Sequence, residues 1–539
     1  MKNWKILQPF QTRAFILAVI LTAALFVYEQ LVLPFQVHDF LEVFSPAVQV
    51  LVTAVSIALM VLFFWAALTA GLIGRVFTFL LFLAALITEY SYVSAVGRFS
   101  IIQDYETGLT AANTQLIQNA MESYTSALLR ALGPALVFGV CLMLLRRIRG
   151  SWYRLLAVLA ASIVFYTAIF SYCRGTFPTV SFEAGLRTFT FTSLKLITSY
   201  RGPRAEIPAY PAQPPENNII LVVDESVRCD RLSLNGYHRQ TTLYLEHLEK
   251  DGLLTNWGEA AASATMSLNS NVYLVTGITD MPDTAQNARR VPTIFHYAKA
   301  AGYHTYHLDA QMDTLWLVHP ADQVAIDYWY RPRDLADSLP VYDIDFVAAR
   351  KIHEIIHSST GNFIWVNKSG VHFPYPMRYP QNAGVWQPVL KDNGYDYHQY
   401  LEISNSYDNG ILYNVDRFFQ ELIGPDGLPA NTIIIYTSDH GQTLSENGES
   451  WPHSGTTRPE ACVPLFIIQQ PGLQADTAYP ASHANIFATL LDAMRVPPEA
   501  RVYAYAPSLF SAQVSDRTAR RYIFGTFDSY YGSVVYPYD

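Results

Sequence analysis

Five apolar runs of membrane-spanning length fill the first ~175 residues, and they constrain what the chain can fold into more than any other feature. They lie at roughly 14–33, 47–69, 76–96, 125–145 and 152–172. A helix needs about 20 apolar residues to cross the hydrocarbon core of a bilayer. Helices are required there, because lipid offers no partner for a free backbone N–H or C=O. The first run is too long, and followed by too many others, to read as a cleaved leader. The chain is 51% hydrophobic and only 15% charged, against about 25% charged in soluble domains. Its formal charge of −9 supplies no general basic field for nucleic acid.

The basic residues predict an orientation. Lys2, Lys5 and Arg13 precede the first run, Arg75 sits between the second and third, and Arg146, Arg147, Arg149 and Arg154 crowd the link between the fourth and fifth. The opposite links hold His38, Asp39 and Glu42, and Arg98 against Asp104, Glu106 and Glu122. Positive residues stay on the cytoplasmic side. The N-terminus is therefore expected in the cytoplasm and everything after Cys173 outside it. Residues 100–122 are too polar to span. They read either as a solvent loop or as an amphipathic helix on the outer membrane surface.

Residues 201–217 (RGPRAEIPAYPAQPPEN) read as a semi-rigid linker, rich in proline and poor in apolar side chains. The expected organisation is a membrane domain at 1–175, a linker at 176–217 and an exported domain at 218–539. That domain opens with a short β-branched run ending in Asp224, Glu225 and Ser226. Similar runs recur at 362–367, leading to Ser369 and His372, and at 432–437, leading to Asp439 and His440. Helical patterns at 291–301, 343–357 and 405–423 lie between them. Alternating strands and helices predict an α/β fold with a mostly parallel sheet covered on both faces. Such sheets bind ligands beyond the carboxyl ends of their strands.

Carboxylates and imidazoles from separate strand ends suit a divalent cation. The mixed oxygen and nitrogen donors favour zinc, with manganese as the alternative. Taken singly, each residue has a plain structural reading: Asp439 and His440 closing a strand, Glu225 capping a helix, His372 and His453 as loop histidines. The combination is more informative, because every instance falls where a sheet delivers its ligands. None of the four cysteines forms a CxxC pair, and a Cys229–Cys462 disulfide is open to an exported domain.

Four blocks carry a family resemblance: VVDESVRCDRLSLNGYHRQTTLYL at 222–245, VNKSGVHFPYPMRYP at 366–380, NSYDNGILYNVDRFF at 405–419 and YTSDHGQTLSENG at 436–448. With five spans ahead of them, they resemble the phosphoethanolamine transferases of the alkaline phosphatase/sulfatase superfamily, which include enzymes that modify lipid A. The resemblance implies a five-helix transmembrane bundle followed by a sulfatase-like domain in the periplasm of a bacterial inner-membrane protein. It implies Glu225, Asp439 and His440 as metal ligands. It also implies a metal-activated threonine nucleophile some forty residues after the glutamate. Thr265 fits best, with Ser263 and Ser267 as weaker candidates. His372 and His453 match two histidines that handle the phosphoethanolamine group or a second metal. The implied donor is phosphatidylethanolamine, and the implied acceptor is lipid A or another envelope glycan.

The cysteines that flank the nucleophile in lipid A-modifying members are absent near Thr265, which leaves the acceptor open. A phosphoglycerol transferase of the lipoteichoic-acid-synthase type is the nearest rival, and the NGYHRQTT stretch argues against it. An inactive receptor for lipid headgroups is the rival from another class. No cysteine or serine stands in the C/S-x-P-x-R setting that a hydrolytic sulfatase requires.

Overall fold

The computed structural model describes residues 2–33, 46–96, 99–100, 125–144, 153–173, 181–186, 200, 202–281, 285–311, 320–335, 339–391, 398–446, 455–469, 475–524 and 534–539. The chain divides into two compact units, the first running to Thr198 and the second starting at Ser199.

Among the described residues, the first unit holds five helices of 20 or more residues: Lys2–Val32, Pro46–Thr69, Leu72–Val96, Thr125–Leu144 and Tyr153–Cys173. They fall on the five apolar runs. Two stretches, Gln11–Val32 and Leu72–Val93, are long and apolar enough to cross a membrane. Ile16, Ile20, Leu72, Ile73, Leu136 and Met143 stand exposed on these helices. A water-soluble bundle would turn such side chains inward. Inside, Phe64, Phe82 and Phe138 meet edge to face with centroids 5.0–5.5 Å apart. Arg75, buried, donates to the carbonyls of Leu68, Ala70 and Leu142 and so satisfies acceptors at two helix ends. The basic cluster at 146–149 and the segment 101–122 lie outside the described residues.

The second unit is built on a seven-stranded sheet. Its strands are β1 (Asn218–Asp224), β2 (Leu254–Ala261), β3 (His304–Asp309), β4 (Tyr328–Tyr330), β5 (Asn362–Asn367), β6 (Thr432–Ser438) and β7 (Cys462–Ile468). The spatial order is β2-β7-β6-β1-β5-β3-β4. The pairs β6–β1, β1–β5, β5–β3 and β3–β4 are parallel, whereas β7 runs antiparallel to both neighbours. The sheet is thus mixed, with the parallel part at its centre.

Every residue of β1 is buried, because both faces of the sheet are covered. Ile219, Leu221 and Val223 enter one core together with residues of helices Ile294–Ala300 and His483–Ala493. Ile220 and Val222 enter the other with helices Ile344–Ser358 and Tyr400–Ile423. The parallel register sets Val223 beside Asn367 and Asp224 beside Ser438, so the three central strands end level with one another.

The specific sequence blocks are tied together in space. Asp408, on helix Tyr400–Ile423, accepts hydrogen bonds from Tyr237 Oη (2.7 Å), Arg239 Nη1 (2.7 Å) and Arg231 Nη1 (3.4 Å). The proline-rich stretch is laid onto this unit instead of standing free of it. Arg204 pairs with Asp322, Ala205 N–H donates to Arg290 O (2.6 Å), and Ile207 and Tyr210 pack against the core.

Cys229 and Cys462 are disulfide-bonded across 233 residues of sequence. Closing so long a loop removes much freedom from the unfolded chain. Reduction of this bond is expected to lower the unfolding free energy of the unit by roughly 2–5 kcal/mol. Urea titrations with and without a thiol reductant measure the difference.

Candidate active site

The site forms where β1, β5 and β6 end. Glu225 follows β1 directly. Ser226 then takes a left-handed conformation with φ 62°, a strained choice for a residue with a Cβ. The turn is held by Ser226 N–H donating to Asp439 Oδ1 (3.0 Å) and Ser226 Oγ donating to Glu225 Oε1 (2.7 Å). Asp439 and His440 follow β6. Asp439 N–H donates to Asp224 O, and His440 N–H donates to Asp439 Oδ1.

Glu225, Asp439 and His440 are at most 1% exposed. Each offers a ligand atom, and these atoms lie within 4.8 Å of one another. His440 Nε2 stands 3.6 Å from Glu225 Oε1 and 3.7 Å from Asp439 Oδ2. Because Gly441 O accepts from His440 Nδ1 (2.6 Å), Nδ1 carries a proton, and Nε2 is the ring nitrogen turned to the carboxylates and available to a cation in the neutral ring. Asp439 Oδ2 is buried without a hydrogen-bond partner. Burial, and then the Glu225 carboxylate, push the Asp439 pKa up to about 7. Burial pulls His440 down, but Asp439 and Glu225 outweigh it, and its pKa is raised. Two crowded carboxylates, an orphaned oxygen and an aimed imidazole are a group of donors that could hold a divalent cation.

The hydroxyl of Thr265, the residue that fits best as nucleophile, is engaged by a backbone carbonyl. Thr265 is fully buried, and its Oγ1 donates to Gly455 O (2.8 Å). Its backbone belongs to a bridge: Thr265 N–H donates to Ile523 O, and Ile523 N–H donates to Ser263 O. The chain leaves this bridge at Met266, and Ser267 opens the helix Ser267–Thr276. Ser267 Oγ lies 3.3 and 3.5 Å from the Glu225 oxygens and 3.2 Å from His440 Nε2. So the residue at the ligands is Ser267, one of the two weaker candidates. The physical reason is local. The backbone of Ser263–Thr265 pairs with the strand at Arg521–Phe524 and Thr265 Oγ1 is taken by Gly455 O, whereas the first helical residue, Ser267, stands at the positive end of the helix. A hydroxyl at the head of a helical pattern was the available signal.

His372 lies on the loop that follows β5. Its Nδ1 donates to Phe373 O, and burial followed by Arg378 lowers its pKa to about 4. His453 lies outside the described residues. Reasoning from single residues missed Arg378, which is inside the quoted 366–380 block. Its Nε donates to His372 O and its Nη1 to Ser369 Oγ (2.6 Å), so a buried guanidinium holds the histidine loop. Asp345 was missed as well. It accepts the N–H groups of Ser369 (2.7 Å) and Gly370 (3.0 Å) on the same loop.

Comparison with known proteins bears on the family and the fold. The sulfatase family model matches residues 217–496, just over half of the chain. Kdo(2)-lipid A phosphoethanolamine 7''-transferase of Escherichia coli is 24% identical over 297 residues, which are 51% of this chain and 50% of that protein. Phosphoethanolamine transferase EptC of Escherichia coli is 28% identical over 257 residues, 45% of this chain and 42% of that protein. The chain thus spans about half the length of the curated relatives it matches. Among solved structures, the integral membrane lipooligosaccharide phosphoethanolamine transferase A of Neisseria meningitidis covers 88% of this chain and 95% of its own, with TM-score 0.64 and 18% identity, a likeness of fold. The chain belongs to the sulfatase family, and its resemblance to the phosphoethanolamine transferases of that superfamily is borne out.

Proposed function

We propose that the protein is a membrane-bound transferase that moves phosphoethanolamine from phosphatidylethanolamine to an envelope acceptor, lipid A or another glycan, through a covalent intermediate on Ser267. The observation that carries this reading is the Ser267 hydroxyl at a helix N-terminus, in contact with Glu225 and His440. The phosphoethanolamine group comes from the curated relatives, whose names specify its transfer. The layout is five spans within residues 1–175, a connecting stretch at 176–217 and a periplasmic catalytic domain at 218–539. The N-terminus is then cytoplasmic in a bacterial inner membrane.

Glu225, Asp439, His440 Nε2 and Ser267 Oγ would hold the cation as a four-donor set. Two carboxylates and one imidazole favour zinc, and manganese is the alternative. Bound there, the cation would lower the pKa of the serine hydroxyl and neutralise charge on the phosphate oxygens. Ser267 Oγ attacks phosphorus, and diacylglycerol leaves. The opening N–H groups of the helix face the phosphate oxygens. An acceptor hydroxyl or phosphate then displaces the serine and restores it. His372, unprotonated at neutral pH, takes a proton from the incoming acceptor more readily than it supplies one to the departing lipid. His453 is assigned to the phosphoethanolamine group by the family resemblance.

Purified full-length protein offered phosphatidylethanolamine or phosphatidylglycerol in mixed micelles tests the reading. Diacylglycerol release from the first lipid, with phosphoethanolamine covalently attached to Ser267, is expected. Turnover of phosphatidylglycerol alone would transfer the assignment to phosphoglycerol chemistry.

A further inference from the structure

We propose that Asp224 is a positioning residue for the metal ligands, because its carboxylate gathers one donor from each of the three strand ends that build the site. Oδ1 accepts Glu225 N–H (2.9 Å), at the exit of β1. Oδ2 accepts from Lys368 Nζ, at the exit of β5, and from Tyr436 Oη (2.8 Å), on β6. These three exits lead to Glu225, to His372, and to Asp439 with His440. One carboxylate therefore fixes the mutual placement of all three.

The backbone reinforces the knot. Lys368 N–H donates to Val223 O, and Asp439 N–H donates to Asp224 O, both at 2.9 Å. Asp224, Lys368 and Tyr436 are fully buried, and the Lys368 ammonium lies 4.6 Å from the centroid of the Phe418 ring. There is no slack around them. Gly370 has φ 50°, and a Cβ there would stand 2.4 Å from Asp224 Oδ1 and 2.7 Å from Glu225 N. A buried ion pair adds little stability over well-packed apolar residues of similar volume. Its location directly beneath the ligands points to geometry as its use. Outer partners of this kind typically change metal affinity 10–100-fold when removed.

The inference rests on the metal site proposed above, and one zinc titration separates the two. Wild-type protein and the double substitution Asp224→Asn with Lys368→Met are compared by competition against a chromophoric chelator. Circular dichroism melts run in parallel, and donor turnover is measured at saturating zinc. Removing both charges together strands neither, so the double variant is expected to fold. Its zinc affinity should fall about 10–100-fold, and its kcat should drop while KM for the lipid donor stays unchanged. A folded double variant with wild-type zinc affinity and kcat overturns the proposal. Should that variant fail to fold, Tyr436→Phe removes one donor without altering charge. An affinity loss of at least about threefold is then expected, and none would be contrary. Wild-type protein that takes up no zinc removes the metal site itself, and this inference with it.

Discussion

Replacing Ser267 with alanine is expected to reduce transfer by at least about 10³-fold, since removing a nucleophile forfeits the covalent route. Folding should persist, and zinc should still bind, because three of the four donors remain. The companion variant Thr265→Ala separates this assignment from the one the family resemblance favours. Thr265 Oγ1 serves Gly455 O, so its loss removes a part-buried hydrogen bond and costs about 1 kcal/mol of stability. Chemistry at the cluster should survive in the fraction that stays folded. Initial rates with phosphatidylethanolamine, normalised to folded protein, give the comparison. A dead Thr265→Ala enzyme beside an active Ser267→Ala enzyme would reverse the two roles. Peptide mapping of protein quenched during turnover adds a direct check, with phosphoethanolamine found on the peptide bearing Ser267.

The second large effect has an unusual sign. Asp439→Asn removes a proposed metal ligand, yet it should stabilise the metal-free domain at alkaline pH. Asp439 has a folded pKa of about 7, raised by burial and by Glu225, against about 3.9 in an unfolded chain. A carboxyl raised in this way contributes stability that is complete below the unfolded value and lost as pH climbs through the folded one. The neutral histidines, buried His307 and His483 and half-buried His372, whose pKa values are lowered, lose stability in the opposite direction, on acidification.

The difference between wild type and Asp439→Asn cancels those histidines. In chelator at pH 8 the variant should be the more stable by a few kcal/mol, of the order set by a three-unit shift at about 1.4 kcal/mol each. The gap should close toward pH 4. With zinc the ranking should invert, since the cation replaces the missing proton and pairs with both carboxylates. Urea titrations at two pH values, with and without zinc, contain the whole test. Equal stabilities in chelator across that range would contradict the buried like-charge pair.

The convergence of Glu225, Asp439 and His440 was legible in the sequence because β-branched runs mark central parallel strands and these residues sit at their carboxyl ends; which strand-end residues are ligand candidates came from the family resemblance. The five long helices were legible from length and apolar content alone. The position of the nucleophile was not. Thr265 and Ser267 are two residues apart, and which of them meets the ligands depends on where extended chain yields to helix. That point is set by pairing of residues 263–265 with the strand at Arg521–Phe524, more than 250 residues away. The antiparallel edge was missed for a related reason. Strand β2 reads LTNWGEAA, with a register irregularity between Asn256 and Gly258, and carries no apolar run to announce it. The contacts of Asp224 and Lys368 were invisible too, because an acidic residue at a strand end reads first as a ligand.

With the second unit exported as proposed, the bond between Cys229 and Cys462 ties the maturation of the protein to its address. Thiols kept reduced in the cytosol do not close it, so on the topology proposed above the second unit lacks, before export, the covalent brace that Cys229 and Cys462 supply. Recombinant work on the outer half alone inherits the same dependence. Material made in a reducing host compartment should be softer than material secreted into an oxidising one, although the two share every amino acid.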